Sequence, residues 1–182
     1  LSTIWIDAAS KSPEDHKAAN LVDAMENRSM MDPLFLGKYP QEFLDMFGSI
    51  MPKIDADDFQ IISQPIDFLG VNYYSRGVVK SDPNVPVLGL TQMKPEGNDY
   101  SQMWEIYPQG CYNCLKMIWD NYHPKKMIMT ENGIPVADGV DFDGKVRDWR
   151  RIQYIQDHLT EVHKAISEGI PVKGYFHWSF TD

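Results

Sequence analysis

One carboxylate stands at a place where chemistry is expected. Glu131 follows Met127-Ile128-Met129-Thr130, an apolar run of strand length, and is therefore presented at the strand's end. The same design recurs on either side of it. Ile66-Asp67-Phe68-Leu69-Gly70-Val71 breaks into Asn72, Tyr73 and Tyr74, and the run 172–177 ends in Trp178 and Ser179. A glutamate in such a place can cap the next helix or pair with an arginine. Beside a phenol, amides and indoles it suits a sugar instead. Rings stack on the apolar face of a pyranose, amides and phenol meet its hydroxyls, and an ionised carboxylate can attack the anomeric carbon.

The elements that must hold these residues alternate. Ser12-Pro13-Glu14-Asp15 combines an N-cap, a proline at the first helical position and acids in the first turn, predicting a helix to about Arg28 that Pro33 and Gly37 then punctuate. Short helices are expected from Tyr39-Pro40 to Phe47 and over residues 55–62. The strand ending at Val71 is followed by a proline- and glycine-rich stretch, 80–103, which reads as a long loop. Trp104-Glu105-Ile106-Tyr107-Pro108 leads into a helix to about Asn121, and strand 127–130 follows. From Asp148 to Glu168, the apolar residues Ile152, Ile155, Leu159, Val162 and Ile166 recur at helical spacing, and Gly169 ends that helix.

Strand alternating with helix gives a parallel sheet, either open and doubly wound or closed as a barrel. No glycine-rich phosphate loop follows any strand, and polar side chains gather at successive strand ends, as in (β/α)8 barrel enzymes.

Bulk properties narrow the partners. The chain has 182 residues, 43% hydrophobic and 24% charged, with 5 Trp and 9 Tyr, as befits a globular protein with a real core. A net charge of −9 disfavours nucleic acid, and the basic pairs Lys125-Lys126 and Arg150-Arg151 read as solvated. No run of 18 apolar residues suggests a membrane span. The two cysteines, Cys111 and Cys114, are spaced like a redox pair or half a zinc site, but they lie in an apolar-periodic stretch and read as buried helix residues. Asp141, Asp143 and Gly144 resemble a calcium loop faintly and a turn better. The five histidines are scattered, without the close pair of a zinc hydrolase. Neither metal nor nucleotide cofactor is expected.

Thr130-Glu131-Asn132-Gly133 after an apolar strand resembles the nucleophile motif of glycoside hydrolase family 1, the β-glucosidase family. Asp67-Phe68-Leu69-Gly70-Val71-Asn72-Tyr73-Tyr74, Trp104-Glu105-Ile106-Tyr107-Pro108 and Gly174-Tyr175-Phe176-His177-Trp178-Ser179-Phe180-Thr181-Asp182 fit the same family in the same order, as do Ser12-Pro13-Glu14-Asp15, Asp32-Pro33-Leu34-Phe35 and Tyr39-Pro40. The resemblance covers essentially the whole chain.

It implies a (β/α)8 TIM barrel of which residues 1–182 form a partial catalytic domain, roughly the second half, from the end of strand 5 to strand 8. It also implies a retaining β-glycosidase acting on β-linked glucosides or related sugars. Glu131 would be the nucleophile and Tyr74 would hydrogen-bond and orient it. Asn72 would be a polar contact, Trp178 the platform under the sugar, and Trp104 a residue of the cleft mouth, with 80–103 forming part of its rim. Glu105 looks structural. The family's acid/base glutamate lies in a Thr-x-Asn-Glu-Pro segment, and no Asn-Glu-Pro occurs here. The sequence stops before the sugar-binding Asn-Phe-Glu-Trp segment, so truncation at both ends is expected, and the chain alone is expected to fold poorly and to be inactive. A 6-phospho-β-glycosidase and a catalytically silent carbohydrate-binding homologue are the competing functions. A cytoplasmic location is the expectation.

Overall fold

The computed structural model describes residues 1–55 and 57–179. The end of the last motif, Phe180, Thr181 and Asp182, lies outside the described residues. The chain divides into two compact units, Leu1–Asp67 with Arg76–Glu96, and Phe68–Ser75 with the residues from Gly97 onward.

The first unit opens with strand β1, Ser2–Ala8, and helix α1, Pro13–Asp23. Ser12 caps α1 as expected, its side chain accepting from the Asp15 amide at 3.1 Å. Asp15 is itself buried. Its carboxylate accepts from the Ser10 hydroxyl at 2.6 Å and the Ser81 amide at 2.8 Å, which together hold its pKa below the ordinary carboxylate range. The helix does not stop near Arg28. It widens into a π-helical turn, Ala24–Arg28, and resumes as α2, Ser29–Leu36, with Pro33 inside it. That wide turn aims the buried Asn27 at β1, where its amide accepts from Ile4 N at 3.1 Å and donates to Ile4 O at 2.8 Å. The true terminator is Gly37, left-handed at φ 64°. Helices α3, Gln41–Phe47, and α4, Asp58–Ile62, follow.

Strand β2 differs most from expectation. It runs over Leu69–Ser81 instead of breaking at Val71. Its distal part, in the first unit, pairs antiparallel with β3, Leu90–Met93, in register Val78↔Met93 to Ser81↔Leu90. The presumed loop 80–103 thus contains a hairpin.

In the second unit, the proximal part of β2 pairs parallel with β4, Met127–Glu131, and β4 pairs parallel with β5, Val172–Tyr175. Helices α5, Pro108–Tyr122, and α6, Trp149–Ser167, intervene along the chain. Each of these parallel strands adds beside the previous one with no reversal of order, as strands do in a barrel. Val71, Tyr73, Met127 and Met129 are fully buried, as are Cys111, Cys114, Leu115 and Ile118 of α5. The two cysteines are free thiols, and burial raises the Cys111 pKa well above its ordinary value.

Helix α6 forms over the expected residues but buries a face other than its apolar stripe. Of its apolar stripe only Val162 is buried, while Ile152, Leu159 and Ile166 are 52%, 41% and 46% exposed. The inward face is Arg151, Tyr154, His158, Val162 and Ala165. Arg151, expected in solvent, is buried and paired with Asp138 at 2.9 Å and Asp148 at 2.6 Å.

Candidate active site

Every residue singled out for chemistry belongs to the second unit. Strand β4 buries Met127 and Met129, leaves Ile128 and Thr130 partly exposed, and delivers Glu131 at its end. A register shift between Val71 and Asn72 makes Asn72, rather than Tyr73, the partner of Glu131 across the sheet. The alternation along β2 then places Tyr74 on the same side as Asn72, with Tyr73 packed inward.

The consequence is a direct contact. The Tyr74 hydroxyl donates a hydrogen bond to Oε2 of Glu131. Burial first, then the bond to Glu131 and its negative charge, push the Tyr74 pKa far above the ordinary phenol value, so the proton stays on the phenol. Trp104 packs against Tyr74 with ring centroids 5.1 Å apart and planes tilted by 56°. Its indole Nε1 is buried without a hydrogen-bond partner among the described residues. The Asn72 side-chain oxygen accepts from the Thr130 hydroxyl at 2.6 Å, which fixes the amide beside the end of β4. Trp178 is held through its backbone, its N–H donating to the Asn132 carbonyl at 3.0 Å, and the residue is 55% exposed. The peptide bond from Trp178 to Ser179 is cis.

Glu105 behaves as a structural residue. It is buried, its side chain accepts from Asn98 at 2.7 Å, and its carbonyl accepts from the Ser75 hydroxyl at 2.8 Å. Asp141 and Asp143 both face Arg147 in an exposed turn with Gly144 at φ 75°. No group of three His, Cys, Asp or Glu that could hold a metal ion is found among the described residues.

Asn132 serves the frame of the site. It follows Glu131, yet its amide points away from the cleft and is fully buried. Its nitrogen donates to the Tyr73 carbonyl at 2.7 Å and to the Tyr154 hydroxyl at 2.9 Å, and its oxygen accepts from the Tyr175 hydroxyl at 2.8 Å. Tyr154 stacks on His158 at 3.8 Å, and burial lowers the His158 pKa to about 4. Burial likewise pushes Tyr175 up to about 12. None of these supporting residues stands out in sequence. Gly133 has a steric reason to be glycine, since a Cβ there would lie 2.0 Å from the Trp178 carbonyl oxygen.

The family model described as glycosyl hydrolase family 1 matches residues 1–182. The chain belongs to glycosyl hydrolase family 1. Among curated family members it is 37% identical over 179 residues to a 1,4-beta-D-glucan glucohydrolase of Thermotoga neapolitana, a match covering 98% of this chain and 42% of that protein. It is 36% identical to the 6-phospho-beta-glucosidase GmuD of Bacillus subtilis, covering 95% of this chain and 41% of that protein. A solved family 1 β-glucosidase from Thermotoga maritima superposes with a TM-score of 0.93 at 35% identity, over 98% of this chain and 40% of that one. The same enzyme in complex with deoxynojirimycin also gives 0.93. The parallel α/β architecture is thus that of part of the family 1 (β/α)8 barrel, and the chain spans about two fifths of the length of these relatives.

Proposed function

We propose that the full-length protein carrying this chain is a retaining β-glycosidase of the β-glucosidase type, with Glu131 as its nucleophile. The chain supplies the second half of the barrel in this reading, from the end of strand 5 to strand 8. The observation that carries it is the Tyr74 hydroxyl bound to Oε2 of Glu131 at the ends of adjacent parallel strands. One carboxylate oxygen is thereby pinned and the other is left to attack. Glu131 displaces the aglycone oxygen from the anomeric carbon and forms a glycosyl ester, while a second carboxyl, about 5–5.5 Å away, protonates the leaving group. That second carboxyl then deprotonates the water that hydrolyses the ester. Trp178 forms the platform under the sugar, Asn72 a polar contact and Trp104 the wall toward the aglycone.

The sequence contains no Asn-Glu-Pro, so the acid/base must come from the rest of the full-length protein, and the 182-residue chain alone is expected not to turn over. The likeness to GmuD favours a second reading, a 6-phospho-β-glycosidase with the same nucleophile.

Hydrolysis of p-nitrophenyl β-glucoside and its 6-phosphate by the full-length protein tests the proposal and separates the two readings. Glu131→Gln is expected to lower kcat by at least about a thousandfold on whichever substrate is used. Retention of wild-type rates by that variant, or no turnover of either compound by the wild type, would remove the assignment.

A further inference from the structure

Four hydrogen bonds converge on Asn132, and each ends on a different part of the candidate site's frame. The Tyr73 carbonyl lies on β2, one residue before Tyr74. The Tyr154 hydroxyl lies on α6, and it in turn donates to the Tyr74 carbonyl at 3.3 Å. The Tyr175 hydroxyl ends β5. The Trp178 amide is held by the Asn132 carbonyl. Asn132 itself is the residue after Glu131 and has no exposed surface. Its carboxamide uses both donors, and one of its two acceptor sites, on these partners.

The chemistry of the residue matters as much as its place. Two of its partners, the Tyr73 carbonyl and the Tyr154 hydroxyl oxygen, receive N–H donors, whereas its own oxygen receives one O–H. An aspartate of the same shape would set an oxygen 2.7 Å from a carbonyl oxygen, with no proton between them at neutral pH. An alanine would leave the Tyr73 carbonyl and the Tyr154 and Tyr175 hydroxyls without this partner.

We propose that Asn132 is a positioning residue of this site: its buried carboxamide ties β2, β4, β5 and α6 together so that Glu131 and Tyr74 keep the register in which they meet. The inference rests on Glu131 acting as the nucleophile. Asn132 itself does not touch the substrate. Its effect is on where the attacking oxygen stands relative to the anomeric carbon, and a displacement of about 1 Å can cost roughly a hundredfold in rate. Tyr154 and Tyr175 share the task, because each holds one edge of the amide and prevents it from turning.

The test uses the full-length protein and 2-deoxy-2-fluoro-β-D-glucosyl fluoride, or its 6-phosphate where that is the glycoside turned over, either of which traps the glycosyl-enzyme as a stable ester. The saturating trapping rate, the half-saturating concentration and the folded fraction are measured for wild type, Asn132→Asp, Tyr154→Phe and Tyr175→Phe. The phenylalanine variants keep their rings and each lose one hydroxyl, so they remain informative if Asn132→Asp does not fold. The expected result is a trapping rate per folded molecule lowered roughly ten- to hundredfold in Asn132→Asp and about three- to tenfold in each phenylalanine variant, with half-saturation changed less than about threefold. A wild-type trapping rate per folded molecule in the two phenylalanine variants, with only stability reduced, overturns the proposal. Failure of the wild type to acquire the label on Glu131 overturns the nucleophile assignment instead, and the inference with it.

Discussion

The Tyr74 hydroxyl and Oε2 of Glu131 are hydrogen-bonded although 57 residues separate them in the chain. The bond crosses two parallel strands at the point where their register slips, between Val71 and Asn72. Without that slip the pleat would not bring Tyr74 over the end of β4. The irregularity in the sheet is what lets a phenol reach a carboxylate.

Removing the phenol oxygen should therefore cost rate more than affinity. Tyr74→Phe in the full-length protein is expected to lower kcat roughly ten- to hundredfold, the worth of one hydrogen bond to a charged group, with KM changed little. Steady-state kinetics on an aryl β-glucoside read both constants. An unchanged kcat would show that Glu131 does not depend on this donor.

Gly133 is expected to tolerate no side chain. In Gly133→Ala the new methyl would meet the Trp178 carbonyl oxygen at 2.0 Å, and its neighbour there is backbone that cannot swing aside. A stability loss of about 1–3 kcal/mol or more should appear in denaturant titration, together with a fall in activity as Trp178 is displaced. A variant as stable and as active as the wild type would mean that the two segments are not in contact.

His158 makes stability depend on acidity. Its Nδ1 lies 2.8 Å from the Tyr154 carbonyl, its Nε2 is buried without a partner among the described residues, and burial lowers its pKa from 6.5 to about 4. The unfolded chain takes up the proton below about pH 6.5, whereas the folded chain resists until about pH 4. The stabilisation is thus complete above the unfolded value and lost as pH falls through this interval, by about 3 kcal/mol in total. Thermal midpoints of wild type and His158→Phe between pH 7 and 4 should show the steeper fall in the wild type. Parallel curves would refute the role given to His158.

Much of this was readable from residue order, and the exceptions share a cause. Ser12-Pro13 marked the start of α1, Asp148 and Glu168 bracketed α6, and Met127 to Thr130 marked β4, because caps and apolar runs act over a few neighbours. Glu131 and Tyr74 stand out by their place at the ends of apolar runs and Trp104 by motif likeness, and the three do lie together. What stayed hidden depends on distant partners. Asn72 and Tyr74 looked like the end of a strand because they are polar, yet β2 continues through them with alternate residues buried. Helix α6 turns Arg151 and Tyr154 inward toward Asp138 and Asn132, 13 and 22 residues away in the chain, and no local pattern announces those partners. Asn132 is one letter of a motif in the sequence, and only the convergence of Tyr73, Tyr154 and Tyr175 reveals it as an internal tie.

Asn132 is followed by glycine, the pairing in which a loose polypeptide most readily closes a succinimide and reopens as aspartate or isoaspartate. Here the carboxamide is clasped by three tyrosine-bearing segments and the glycine is wedged against Trp178, so the ring cannot close while the fold holds. Warmth that frees these strand ends gives the protein a one-way exit as well as a reversible one. Peptide mapping of heat-inactivated samples is expected to find acid in place of amide at position 132, and an intact asparagine there after complete inactivation would show that the protein ages by another route.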